Sequence, residues 1–151
     1  MEIKKWGLVA LVCCMSCLLG GCGKQEATPS RAHLGGLQIS NYNFMGKETL
    51  LYFDKAPERV LVTRPEILDV LAALGVEDRV VMASFPSSMA ARMPDYQKCF
   101  PNTELTLHEL DQETAVMARP DFIIGWRRSF HRGALGSTEY WQSKGVPVYI
   151  E

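Results

Sequence analysis

Along residues 41–151, short apolar runs alternate with stretches whose apolar positions recur at helical spacing. Thr49-Leu50-Leu51-Tyr52-Phe53 is rich in β-formers and follows the turn-like Met45-Gly46-Lys47. It predicts a short strand broken by Asp54-Lys55-Ala56-Pro57. Arg59-Val60-Leu61-Val62-Thr63 is a compact apolar run suited to a buried strand. A helix is expected next: Pro65 fits a first turn, Glu66 favours the positive end of the helix dipole, and Gly75 fits the stop. Ile67, Leu68, Leu71 and Leu74 give that helix one apolar face.

Arg79-Val80-Val81-Met82-Ala83-Ser84 predicts a second buried strand. Phe85 to Leu110, punctuated by Pro86, Pro94 and Pro101, reads as an irregular surface crossing with one short helix near Tyr96. Gln112 to Arg119 is helical, with Asp111 as its cap and Pro120 as its end. Asp121-Phe122-Ile123-Ile124-Gly125-Trp126 is a third buried strand. Thr138 to Lys144 forms a helix stopped by Gly145, and Val146-Pro147-Val148-Tyr149-Ile150 begins a fourth strand. Strands alternating with helices imply an α/β fold, a parallel sheet with right-handed crossovers and helices on both faces. Ligands of such sheets bind beyond the carboxyl ends of the strands. That rule points to Thr63-Arg64, Ser84-Phe85 and Trp126-Arg127-Arg128.

The amino-terminal pattern is different. Lys4 and Lys5 precede an apolar run from Trp6 to Leu19, the arrangement of a secretory signal. The run is shorter than the roughly 20 residues a spanning helix needs, which disfavours a permanent membrane span. At its end Leu19-Gly20-Gly21-Cys22 resembles the bacterial lipobox, whose cysteine is diacylated and becomes the new amino terminus on cleavage. The resemblance implies a lipoprotein signal peptide over residues 1–21 and lipidation at Cys22. Ordinary cleavage near the glycines, with Cys22 a passenger, is the alternative. Several acyl chains at about 0.8 kcal/mol per buried methylene would anchor the chain durably. Residues 22–40 then read as lipid anchor and flexible tether, being small and polar with Pro29, Ser30, Gly35 and Gly36. Cys13, Cys14 and Cys17 leave with the signal, so Cys99 is expected to be a small, partly buried thiol without a disulfide partner.

Composition adds mainly exclusions. The 151 residues suit one folded domain beyond the targeting segment. A formal net charge of −1, without clustered Lys and Arg, offers no electrostatic footprint for nucleic acid. The chain carries no Gly-x-Ser-x-Gly elbow, phosphate loop, paired catalytic carboxylates or zinc motif, which argues against an enzyme. His33, His108 and His131 are widely separated and lack metal-ligand spacing. No Met, His or Tyr is clearly placed as a haem ligand, and no resident cofactor is expected.

Three segments share order and spacing with a known family: Lys55-Ala56-Pro57-Glu58-Arg59-Val60, Ala73-Leu74-Gly75-Val76-Glu77-Asp78, and Glu113 through Ala118-Arg119-Pro120-Asp121-Phe122-Ile123-Ile124-Gly125-Trp126. They resemble the substrate-binding proteins of transporters for iron–siderophores, haem and cobalamin. Leu135-Gly136-Ser137-Thr138 onward is most similar to the iron-compound branch. The resemblance implies two α/β lobes joined by a long rigid helix, with the ligand held between them. Residues 41–151 would be the N-terminal lobe of this bilobal periplasmic-binding fold, the linker helix and second lobe being absent. It further implies an extracytoplasmic, lipid-anchored component on the outer face of the cytoplasmic membrane. That component would bind an iron–siderophore or related ferric chelate and deliver it to an ABC transporter permease. Cobalamin or haem as ligand, or a truncated lobe with no transport role, are the alternatives.

On this reading the ligand-binding candidates are Trp126, Arg127, Arg128, Thr63, Arg64 and Phe85. The indole of Trp126 offers a flat surface for a chelate or macrocycle, with core packing at the sheet rim as its alternative. Arg127 and Arg128 would pair with carboxylate or phenolate oxygens of a ferric complex, or lie solvated. Thr63, Arg64 and Phe85 sit at the ends of the first two buried strands. His131 lies near the Trp126 loop and is either a ligand contact or a solvated loop residue. Glu113 matches the family's docking glutamate, which meets arginines on the permease; helix-start capping is its alternative.

Overall fold

The computed structural model describes residues 36–151, so the expected signal peptide, Cys22, His33 and the tether through residue 35 lie outside the described residues. The described chain begins with a hairpin. Strands β1 (Leu37–Tyr42) and β2 (Glu48–Phe53) pair antiparallel around a turn in which the Asn43 amide donates to the Lys47 carbonyl at 2.8 Å. The tether was expected to run to residue 40, yet residues 37–40 are strand. The sequence hid this strand because its one buried residue is polar: Asn41 is 6% exposed.

Next come β3 (Val60–Val62), α1 (Pro65–Ala73), β4 (Val80–Ser84), α2 (Met93–Cys99) and β5 (Glu104–Thr106). They are followed by α3 (Gln112–Met117), β6 (Phe122–Gly125), α4 (Thr138–Ser143) and β7 (Val148–Ile150). A 5-stranded sheet in the order β5-β4-β3-β6-β7 is parallel throughout. The α/β expectation holds, with one strand more than the apolar runs announced. The extra strand is β5, inside the stretch read as an irregular crossing. Glu104-Leu105-Thr106 has no apolar run of its own and is a strand through its ladder to β4. The short helix expected near Tyr96 is α2.

Alternation along the central strands splits the core in two. Val60 and Val62 face Ile67, Leu68 and Leu71 of α1 and Tyr96 of α2. Leu61 and Ile123 face the other way, towards Ala115 of α3 and Trp141 of α4. Helix ends follow their local chemistry. Asp111 Oδ1 accepts from the Thr114 amide at 2.7 Å, and Gly75, at φ 68°, takes the left-handed turn after α1. Two expectations are corrected. Leu74 lies past the last turn of α1 and is exposed, and Cys99, expected to be partly buried, is exposed at the end of α2.

The register of the two central strands is pinned at their amino ends. The Asp121 carboxylate accepts from the Glu58 amide at 2.9 Å and the Arg59 amide at 2.8 Å. The Arg59 guanidinium in turn donates to the Arg119 and Ala118 carbonyls at 2.9 and 2.7 Å, which satisfies the carboxyl end of α3. This joint aligns Val60 with Phe122 and Val62 with Ile124. Replacing Asp121 by Ala should lower stability by about 1–3 kcal/mol, since two amides lose their acceptor. Urea unfolding measures it, and an unchanged midpoint would show that the joint is dispensable.

Candidate functional site

The chain moves from β3 outward to β4 and β5, then returns to the other side of β3 for β6 and β7. The order reverses between β3 and β6, and a doubly wound sheet opens a crevice where its order reverses. A hollow of about 490 Å³ lies there, and Thr63, Arg64, Phe85 and Trp126 all line it. Four of the six expected ligand residues are thus brought together.

The ladder makes Thr63 and Trp126 neighbours. The Thr63 amide donates to the Ile124 carbonyl at 3.1 Å, and the Trp126 amide donates to Thr63 Oγ1 at 3.0 Å. Gly125 permits this contact, because a Cβ there would fall 2.5 Å from Thr63 Oγ1 and 2.9 Å from Thr63 Cγ2. The hydroxyl of Thr63 is therefore committed to holding the chain that carries Trp126. The indole is 42% exposed, with the Arg64 and Arg128 guanidinium carbons 5.4 and 5.1 Å from its ring centroid. Both distances suit cation–π attraction.

Arg64 is the best-connected side chain of the site. Its Nε lies 3.2 Å from Glu66 Oε2 and its Nη1 lies 3.0 Å from Glu151 Oε1. The hydrogen bond to Glu66, joined by the charge of Glu151, raises the Arg64 pKa above its ordinary value. The same bond holds the Glu66 carboxyl below the usual carboxylate range. Because Arg64 follows β3 and Glu151 follows β7, their bridge reaches across the end of β6.

Neither Arg127 nor Arg128, the other two expected ligand residues, lines the hollow. A 3-10 turn at Arg127–Ser129 sends the two side chains to different partners. Arg127 Nε donates to the Phe44 carbonyl at 2.8 Å, with its guanidinium over the Phe44 ring, and so ties the loop to the hairpin. Phe85 is fully buried and packs edge-on against Tyr96, reaching the hollow as a core side chain. Glu113 is exposed in the first turn of α3, outside the hollow.

Sequence reasoning missed Leu107, Glu109 and Leu110, which also line the hollow. They follow β5, the strand without an apolar signal. Glu66 was read only as a dipole partner, whereas it is part of the lining. His131 Nε2 lies 3.4 Å from Glu109 Oε1, so this histidine is tied to a lining residue. Among the described residues no group of three or more His, Cys, Asp and Glu side chains could hold a metal ion, and no helix is long and apolar enough to cross a membrane.

Two consequences can be measured. Gly125→Ala should cost about 1–3 kcal/mol through overpacking against Thr63. It should also change the emission of the exposed Trp126, while the same spectrum with unaltered stability would refute the contact. Glu66 has a lowered folded-state pKa, so its stabilising share is complete above its unfolded value of about 4.3 and is lost as pH falls through the lower folded value. Glu66→Gln should therefore flatten the acid limb of the stability–pH curve, and an unchanged limb would contradict the Arg64 pairing.

No protein-family model matches the chain, and no curated protein matches it. Solved structures do. A periplasmic binding protein from Veillonella parvula DSM 2008 superposes with a TM-score of 0.65 at 24% identity, over 77% of this chain and 37% of that one. An ABC-type Fe3+-hydroxamate transport system from Saccharomonospora viridis DSM 43017 gives 0.50 at 24% identity, over 76% of this chain and 38% of that one. The chain thus spans well under half the length of either structure. At such identity the likeness speaks for architecture: the described residues have the α/β fold of one lobe of a periplasmic binding protein.

Proposed function

We propose that the chain is the ligand-capturing first lobe of an exported, lipid-anchored substrate-binding component of an ABC importer. Its ligand is an iron–siderophore or related ferric chelate, delivered to a membrane permease with Glu113 at the docking surface. The observation that carries this reading is Trp126, a half-exposed indole beside two guanidinium groups at the mouth of an open hollow at the sheet's switch point. Flat, partly apolar ligands are held by such a ring through stacking and shape, without a nucleophile.

Export and anchoring are supported by Lys4 and Lys5, the apolar run after them and the lipobox-like Leu19-Gly20-Gly21-Cys22. The ferric ligand class is supported by the likeness to the Fe3+-hydroxamate transport system. A hollow on one lobe covers one side of a ligand, and a facing lobe would cover the other, as ligand sites normally bury most of their occupant.

The test is a titration of the purified chain with ferric chelates, haem and cobalamin, followed by tryptophan emission. Ferric chelates should quench the signal, the quenching should vanish in Trp126→Phe and persist in Trp141→Phe, and Trp126→Ala should weaken binding about tenfold. Failure of every compound to bind a folded chain would reject the reading. Preference for haem or cobalamin would reassign the ligand.

A further inference from the structure

Every guanidinium around the hollow is already engaged. Arg64 is shared between Glu66 and Glu151, Arg128 lies over Trp126, and Arg127 is bonded to the Phe44 carbonyl outside the lining. Among the residues that line the hollow, the carboxylates of Glu66 and Glu109 outnumber the single guanidinium of Arg64. His131 Nε2 lies 3.4 Å from Glu109 Oε1. The other surfaces are apolar: Phe85, Leu107, Leu110, Leu135 and the indole of Trp126.

We propose that this lobe selects ferric chelates without net negative charge, and that Glu66 is the residue that sets this selectivity. The inference rests on the ferric-chelate reading above and names the ligand's charge class. An anionic complex in the hollow would face Glu66 and Glu109 directly. It could gain a guanidinium by drawing Arg64 away from two carboxylates, which would then lose their partner, or by lifting Arg128 off the Trp126 ring. A neutral or cationic complex leaves the Arg64 network intact, lays its apolar flank on Trp126 and gains attraction from the surplus carboxylate. Like-charge juxtaposition of this kind discriminates between ligands of similar shape.

Two ferric probes of opposite charge decide the matter: a cationic linear trihydroxamate complex and an anionic tris-catecholate complex. Each is titrated into the purified chain and into Glu66→Gln, with tryptophan emission as readout and circular dichroism to verify folding. The unaltered chain should bind the cationic probe at least about tenfold more tightly, and Glu66→Gln should narrow that ratio severalfold. Added salt should narrow it as well. Preference for the anionic probe, or a ratio that Glu66→Gln leaves unchanged, overturns the charge selectivity while leaving the ferric-chelate reading in place. Binding of neither probe by the folded chain overturns that reading and the selectivity together.

Discussion

The fork of hydrogen bonds from the Asp121 carboxylate to the Glu58 and Arg59 amides holds β3 and β6 in register, and the remaining structure depends on that register. A slip of one residue would exchange the two faces of a strand. Val60 and Val62 would then turn from the α1–α2 side to the α3–α4 side, and Leu61 would move the opposite way. Thr63 would no longer stand beside the Trp126 amide. Arg59 extends the joint by closing the carboxyl end of α3, so one cluster at the amino edge of the sheet ties two strands and a helix together.

The two ends of the sheet accordingly do different work. Two of the segments that carry the family resemblance, Lys55 to Val60 and Ala118 to Asp121, meet at the amino end and form the joint. The hollow opens at the carboxyl end, where Thr63, Gly125 and Trp126 are locked by one hydroxyl and one missing Cβ. This division explains why the resemblance foretold the architecture while leaving the ligand open: its motif residues hold strands together, and the residues facing the hollow are mostly others.

The hairpin is fastened to the far edge of the same sheet. Asn41 accepts from the Ile150 amide at 2.9 Å and donates to the Ile150 carbonyl at 3.0 Å, so a side chain occupies the backbone groups of β7 that an added strand would use. Asn43 reaches Glu139 at 2.8 Å, and Arg127 grips the Phe44 carbonyl. Through this last contact Arg127, one of the expected ligand residues, also joins two layers of the fold. The bridge from Arg64 to Glu151 works similarly, linking the ends of β3 and β7 across the mouth of the hollow.

By itself the sequence determined the parts of this protein whose signal is local. The apolar runs of β3, β4 and β6, the Pro65 start and Gly75 stop of α1, and the Asp111 cap all arise from spacing or backbone preference within a few residues. The strand-end rule then marked Thr63, Arg64, Phe85 and Trp126. Tertiary structure decided what depends on partners distant in the chain. β1 is a strand through its ladder to β2 and is held to the sheet by buried Asn41 at Ile150, and β5 exists because β4 offers it a ladder. Leu107 and Glu109 line the hollow because they directly follow β5, which its ladder to β4 fixes in place. The directions of Arg127 and Arg128 follow from a 3-10 turn and from Phe44, and the neutralisation of Arg64 from Glu151. Charge balance in a site is a property of side chains gathered from several strands, and no window along the chain contains it.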